Sequence, residues 1–226
     1  FWNGKTILDL LIEKLKNFHD CRIVLATSEL PENLPLVEVA KKAGICYFQG
    51  SENDVLQRFI DAAEAQDAEQ IIRICADNPF LDVNAIEELL NEIQKDENYD
   101  YVSFLVNESP SIKTHFGFWA EYVTLSALKK ICANTSDSLY HEHVTNYIYT
   151  HPDEFNIKWL SPVACVADRH DVRLTIDTTN DFSNAQSIYT SLAKADAFSI
   201  DDIIEYIDQH PECAAIMKNE ILTNTK

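Results

Sequence analysis

Ile71-Ile72-Arg73-Ile74-Cys75-Ala76-Asp77-Asn78-Pro79-Phe80-Leu81-Asp82 opens as an almost unbroken apolar run and closes on a polar turn. With β-branched Ile71, Ile72 and Ile74, a run this short predicts a buried central strand of an α/β sheet. Pro79 lacks an amide proton and confines Asn78 to extended geometry, so the chain must turn just after Asp77. Ligands of open α/β sheets bind beyond the carboxyl ends of the strands, which makes Asp77 a candidate site residue. The alternative is an aspartate that only bonds its own turn backbone.

On the N-terminal side, residues 53–66 read as a helix and Cys46-Tyr47-Phe48 as a strand ended by Gly50-Ser51. An earlier helix runs through Lys42 to Gly44, a C-cap position, and residues 22–27 form another short buried strand. The first helix starts near Thr6, with Thr6 and Asp9 at capping spacing. Phe1-Trp2-Asn3-Gly4-Lys5 reads as the middle of something, because aromatic residues at an extreme terminus have little to pack against.

On the C-terminal side, residues 83–94 are helical and 99–104 extended. A polar loop at 107–115 and an aromatic segment at 116–122 lead to helices at 124–132 and 139–150 and an extended edge at 155–160. Val172-Arg173-Leu174-Thr175-Ile176-Asp177 predicts a second strand ending on aspartate, followed by a helix near 181–194. Ser199, with Asp201 and Asp202 in the first turn, caps a last helix that opens a C-terminal extension, 199–226. This alternation predicts parallel strands with helical crossovers, in one domain with at most a small appendage.

The 18 Lys and Arg against 37 Asp and Glu give a net charge of -19, which repels nucleic acid and anionic membrane. A phosphorylated substrate then needs a divalent metal or a few placed cations. Cys21, Cys46, Cys75, Cys132, Cys165 and Cys213 are dispersed without ligand spacing, as expected of reduced thiols in a cytoplasmic protein. No apolar run approaches the length of a membrane span, and no charged-then-apolar leader is present.

Asp77 and Asp177 both end apolar strands, so a parallel sheet brings their carboxylates to one edge. Two hard oxygen ligands there suit Mg²⁺ bridging a polyphosphate. Arg73 alternates in register with Asp77 and is either a phosphate-binding cation or the partner of a neighbouring carboxylate. Arg58, four residues after Asp54, reads equally as an i,i+4 ion pair. His141-Glu142-His143 looks like a metal cluster, but in a helix residues 141 and 143 point about 200° apart. Glu142 and His143 remain candidates for polar contacts at the site or an interface. GxSxG, HExxH, GxGxxG and GxxxxGK[ST] are all absent.

Four segments in order and spacing resemble the cytidylyltransferase family, which includes CMP-Kdo and CMP-sialic acid synthetases and the spore-coat polysaccharide branch. They are Gly50-Ser51-Glu52-Asn53-Asp54-Val55-Leu56-Gln57-Arg58, Arg73-Ile74-Cys75-Ala76-Asp77-Asn78-Pro79, Glu142-His143-Val144-Thr145 and Leu174-Thr175-Ile176-Asp177-Thr178-Thr179-Asn180-Asp181-Phe182. The resemblance implies a Rossmann-like, GT-A-like α/β nucleotidyltransferase with a mostly parallel sheet and a small dimerisation element that often makes homodimers. It implies transfer of CMP from CTP to an acidic sugar with release of pyrophosphate. By position, Asp77 and Asp177 look like Mg²⁺ ligands, with Arg58, Arg73 and Asn78 lining the same site. Gly117 and Glu121 resemble the sugar-side strand, while Glu142 and His143 fall near the sugar and the dimer contact.

Two departures accompany the resemblance. Relatives begin with a strand and a basic glycine-containing loop that holds the triphosphate, and nothing like it is present; Gly4-Lys5-Thr6 aligns with the later segment that opens the first helix. Trp119 stands where many relatives carry an acidic residue. A metal-dependent glycosyltransferase and a non-catalytic binding or scaffold protein of a nucleotide-sugar pathway are the competing readings. Sugar transfer without CTP consumption would mark the first, although its D-x-D signature is absent.

Overall fold

The computed structural model describes residues 1–95, 98–193 and 198–224. Helix α1 (Ile7–Leu15) starts at the expected capping box, in which the Thr6 side chain accepts from the Asp9 amide and Asp9 accepts from the Thr6 amide. There follow β1 (Val24–Ser28), α2 (Leu34–Ala43), β2 (Cys46–Gly50), α3 (Val55–Glu64), β3 (Gln70–Arg73) and α4 (Val83–Lys95). Gly44 ends α2 in the left-handed region, φ 69°, as its C-cap position predicts. The chain continues through β4 (Tyr101–Val106), β5 (Ser109–Pro110), β6 (Glu121–Thr124), α5 (Leu125–Asn134), α6 (Ser138–Glu142), α7 (Asn146–Thr150) and β7 (Ile157–Leu160). It closes with α8 (Thr179–Leu192), α9 (Ile200–Gln209) and α10 (Pro211–Thr223). Lys194, the expected end of the eighth helix, and Thr225 and Lys226 of the expected extension lie outside the described residues.

The α/β class is as expected, but the sheet is mixed rather than mostly parallel. β1 pairs with β2 in parallel, and β4 with β7 in parallel. β6, hidden in the aromatic segment, runs antiparallel between β3 and β4. A four-residue strand covered on both faces shows no alternation, so its sequence gave no strand signal.

Three further expectations change. β3 lies at one end of its five-stranded sheet, in the order β3-β6-β4-β5 with β7 on β4, rather than at the centre. Residues 172–177 form no regular strand; they are docked by single bonds, Leu174 N to His115 O (2.8 Å) and Ile176 N to Asp77 O (3.2 Å). The helix expected at 139–150 breaks at His143, whose backbone leaves the helical region before α7 begins.

Successive residues of the ladder face opposite layers, the period-2 geometry of strands. The paired Tyr101 and Val123 pack with α3, α5 and α7, whereas Val102 and Tyr122 pack with α4, α8, α9 and α10. α10 closes over α8, where buried Glu220 accepts from Thr178 Oγ1 (3.0 Å) and Asn180 Nδ2 (2.8 Å).

The two sheets share no ladder among the described residues. Between β1 and β3 runs an apolar slot of about 430 Å³, lined by Leu25 and Ala26 on one side, Ile72 and Ile74 on the other, and roofed by Leu11 and Leu15.

Candidate functional site

The turn after β3 carries Asp77 and buried Asn78. Gly117 sits over it with φ 68°, and a Cβ there would lie 3.0 Å from Asn78 Oδ1 and 3.3 Å from Thr175 Cγ2. Only glycine combines that backbone angle with that approach. Asn78 Oδ1 is buried without a hydrogen-bond partner among the described residues. Asp77, Asn78, Gly117, Thr114 and Thr175 line a small cavity of about 20 Å³, room for one water.

The second aspartate reaches the same turn through its neighbour. Because Ile176 donates its amide to the Asp77 carbonyl at 3.2 Å, Asp177 follows directly on a residue fixed to the first turn. Buried Arg173 then orients the Asp177 carboxylate, with Nη2 2.8 Å from Asp177 Oδ2. The same guanidinium grips Asp181 with two bonds, Nε to Oδ1 and Nη2 to Oδ2, both 2.8 Å. Its Nη1 meets His115 Nδ1 at 2.8 Å, and since a guanidinium only donates, that ring nitrogen carries no proton. Asp181 also accepts from the Asp177 amide (3.1 Å) and the Thr178 amide (3.0 Å). Burial alone would raise the Asp181 pKa, but the Arg173 bonds and these amides outweigh it and hold it below the ordinary carboxylate value. Arg173 and Asp181 were not singled out from sequence. The detectable signal was the Thr178 to Asp181 spacing of a capping box, which α8 uses.

Arg58 and Glu142 come together elsewhere, in an open cleft of about 650 Å³. Its floor is the carboxyl end of β1, Thr27 and Ser28, and its walls are Glu52 and Asn53 on one side and Ser138 and Glu142 of α6 on the other. Arg58 makes no ion pair with Asp54. Its Nη1 donates to the Ser51 carbonyl (2.5 Å), and its Nε is buried without a partner among the described residues. Gly50 allows this packing, because a Cβ there would lie 3.1 Å from Arg58 Cγ. His143 is exposed just beyond the end of α6.

Arg73 and Glu121 are joined to each other and not to either cluster. Cross-strand register places them opposite, and Arg73 Nη1 meets Glu121 Oε2 at 2.5 Å. Glu121, 1 % exposed, also accepts from the hydroxyls of Tyr101 and Thr145. Of the two readings of Arg73, the structure shows the pairing with a neighbouring carboxylate. The Glu121 carboxylate is an internal anchor, enclosed by donors from Arg73, Tyr101 and Thr145. Trp119 is core, stacked on Phe104 at 5.7 Å.

Among the described residues no group of three or more His, Cys, Asp or Glu side chains gathers as a metal centre. Asp77 and Asp177 fit Mg²⁺ in a different sense. Both are carboxylates, the hard oxygen donors Mg²⁺ prefers, and they are the residues that would hold it with substrate phosphates and water completing its shell.

A helix-flanked mixed α/β sheet, with Asp77 on the turn after β3 and a separate polar cleft at the carboxyl end of β1, is the setting of a nucleotidyltransferase. The chain belongs to the cytidylyltransferase family, which it matches over residues 1–221. It is 34% identical over 219 residues to an uncharacterized protein of Methanocaldococcus jannaschii, covering 95% of this chain and 85% of the relative. It is 29% identical over 215 residues to the spore coat polysaccharide biosynthesis protein SpsF of Bacillus subtilis, covering 92% and 85%. Among solved structures, a cytidylyltransferase from Leptospira borgpetersenii superposes with a TM-score of 0.83 at 27% identity, over 97% of this chain and 88% of that one. A CMP:2-keto-3-deoxy-manno-octonic acid synthetase complexed with CTP has the same fold, with a TM-score of 0.60 at 11% identity, over 85% and 89%.

Proposed function

We propose that the protein transfers CMP from CTP to the hydroxyl of an acidic sugar, releasing pyrophosphate. The observation that carries the reading is the bond from the Ile176 amide to the Asp77 carbonyl, which supports two carboxylates serving one site. The sugar oxygen forms its bond to the α-phosphorus as the bond to the β-phosphate oxygen breaks, and the hydroxyl proton leaves to solvent. Asp77 and Asp177 would hold Mg²⁺, which when bound neutralises charge on the phosphates. Arg173 and Asp181 keep the Asp177 carboxylate in place before substrate arrives, so little reorganisation remains for the reaction. Arg58 offers a cation, and Glu142 and Ser138 offer polar contacts, to a substrate in the cleft.

Under the same reading, the slot between β1 and β3 receives one further strand, the element that precedes the basic glycine-containing loop in proteins this sequence resembles. Ala26 lines both the slot and the cleft, and Cys75 lines both the slot and the small cavity. A loop leaving such a strand would emerge between the two clusters.

The test is pyrophosphate release from CTP with candidate acidic sugars and Mg²⁺, with and without a peptide supplying the strand and basic loop. Release with one of the sugars, lost in Asp77→Asn and Asp177→Asn, is expected. No release under any condition, with CTP binding unaltered in both variants, overturns the reading.

A further inference from the structure

α6 contributes Ser138 and Glu142 to the wall of the 650 Å³ cleft, opposite Glu52, Asn53 and Arg58. It is only five residues long, too short to hold its own shape or position. His141 fastens it to the start of α3. Its Nδ1 lies 2.8 Å from Asp54 Oδ1, at the N-cap of α3, and its Nε2 lies 3.0 Å from the Thr135 carbonyl. A carbonyl and a carboxylate only accept, so the imidazolium, which donates from both ring nitrogens, is the form that suits both neighbours.

We infer that His141 is a positioning residue, a protonation-dependent latch that holds α6, and with it one wall of the nucleotide cleft, in place against the N-terminus of α3. The inference rests on the proposed function for the identity of the ligand, but the latch itself is a property of the unliganded protein. Asp54 is the charged group of α3 that meets the ring. Arg58 turns instead to Ser51, Asp61 bonds Gln57, and on the side of α6 itself Asp137 caps the Leu139 amide. Consistent with the geometry, the His141 pKa is raised, first by the Thr135 carbonyl and then by Asp54. The group is charged when latched, so the latch is fully present below the ordinary histidine value near 6.5 and is lost as pH rises through the raised one.

The test is hydrogen exchange at the amides of residues 138–142 in the unliganded protein across pH, corrected for intrinsic rates, alongside the Kd for CTP. Protection should fall roughly threefold to fivefold as the ring deprotonates, the scale of one partly exposed ion pair. Asp54→Asn, which still caps α3, should show the low value at every pH, because asparagine is as good an N-cap as aspartate. His141→Arg keeps a cation toward Asp54 and should flatten the profile, a rescue that loss of packing alone would not give. Protection that is independent of pH in the native protein and unchanged in Asp54→Asn overturns the latch. Protection that behaves as expected while CTP does not bind leaves the latch standing and removes the nucleotide reading instead.

Discussion

The Ile176 amide donates to the Asp77 carbonyl at 3.2 Å, so a segment a hundred positions downstream is fastened to the turn that ends β3. One backbone bond thereby delivers Asp177 to the neighbourhood of Asp77. Arg173 and Asp181 fix its direction from the other side.

Asp181 supports the Asp177 carboxylate through Arg173 and through the Asp177 and Thr178 amides. Asp181→Asn removes the charge that holds Arg173 and should lower activity or Mg²⁺ affinity by roughly 10- to 100-fold, the usual effect of losing an outer partner of a metal ligand. Mg²⁺ titrations of turnover in Asp181→Asn and Asp177→Asn check it, and Asp177→Asn should be the more severe.

Gly117→Ala should destabilise the protein by about 1–2 kcal/mol from its left-handed backbone angle alone. Contact with Asn78 and Thr175 adds to that cost and disturbs the turn beside Asp77. Urea denaturation, read together with turnover, should show both losses.

Glu121→Gln leaves Arg73 charged, largely enclosed and without its counter-ion. Removing one partner of a buried pair typically costs about 3–5 kcal/mol, so Tm and urea midpoint should fall sharply. Glu142→Gln, on the exposed wall of the cleft, should leave stability nearly unchanged and alter ligand affinity instead.

Lys14 donates to the carbonyls of Pro79 (3.2 Å) and Leu81 (3.0 Å), beneath the turn after Asp77. Burial lowers its pKa to about 8, against an ordinary value of 10.5. Between those values the unfolded chain binds more protons than the folded one, so this group makes stability rise with pH across that window. Urea unfolding at several pH values should show the rise in native protein and its absence in Lys14→Met.

A strand-forming peptide that occupies the slot between β1 and β3 should raise Tm in a saturable way. At a hundredfold excess over Kd, ligand linkage gives about 2.7 kcal/mol. Ile74→Asp, which places a carboxylate in the slot lining, should abolish the shift; an equal shift in that variant would place the peptide elsewhere.

Much of the local structure was legible because its causes are local. Thr6 with Asp9 and Ser199 with Asp202 close capping boxes within a single turn. Gly44 ends α2 for a reason contained in its own backbone angle. Asp77 and Asp177 stood out as acidic residues closing apolar runs. The strand expected at 172–177 failed because an apolar run fixes burial and not a ladder partner. β6 was missed because four covered residues carry no period.

Composition, alternation and caps thus determined the α/β class, most helix limits and the polar ends of the apolar segments, since each depends on residues within a turn or two. Tertiary structure alone decided that Arg73 faces Glu121, that β6 runs against its neighbours, that the sheet is parted by a slot, and that Arg58 meets Glu142 across a cleft. Those outcomes depend on register and packing between distant segments, where many pairings satisfy the same local pattern and only the close-packed interior selects one.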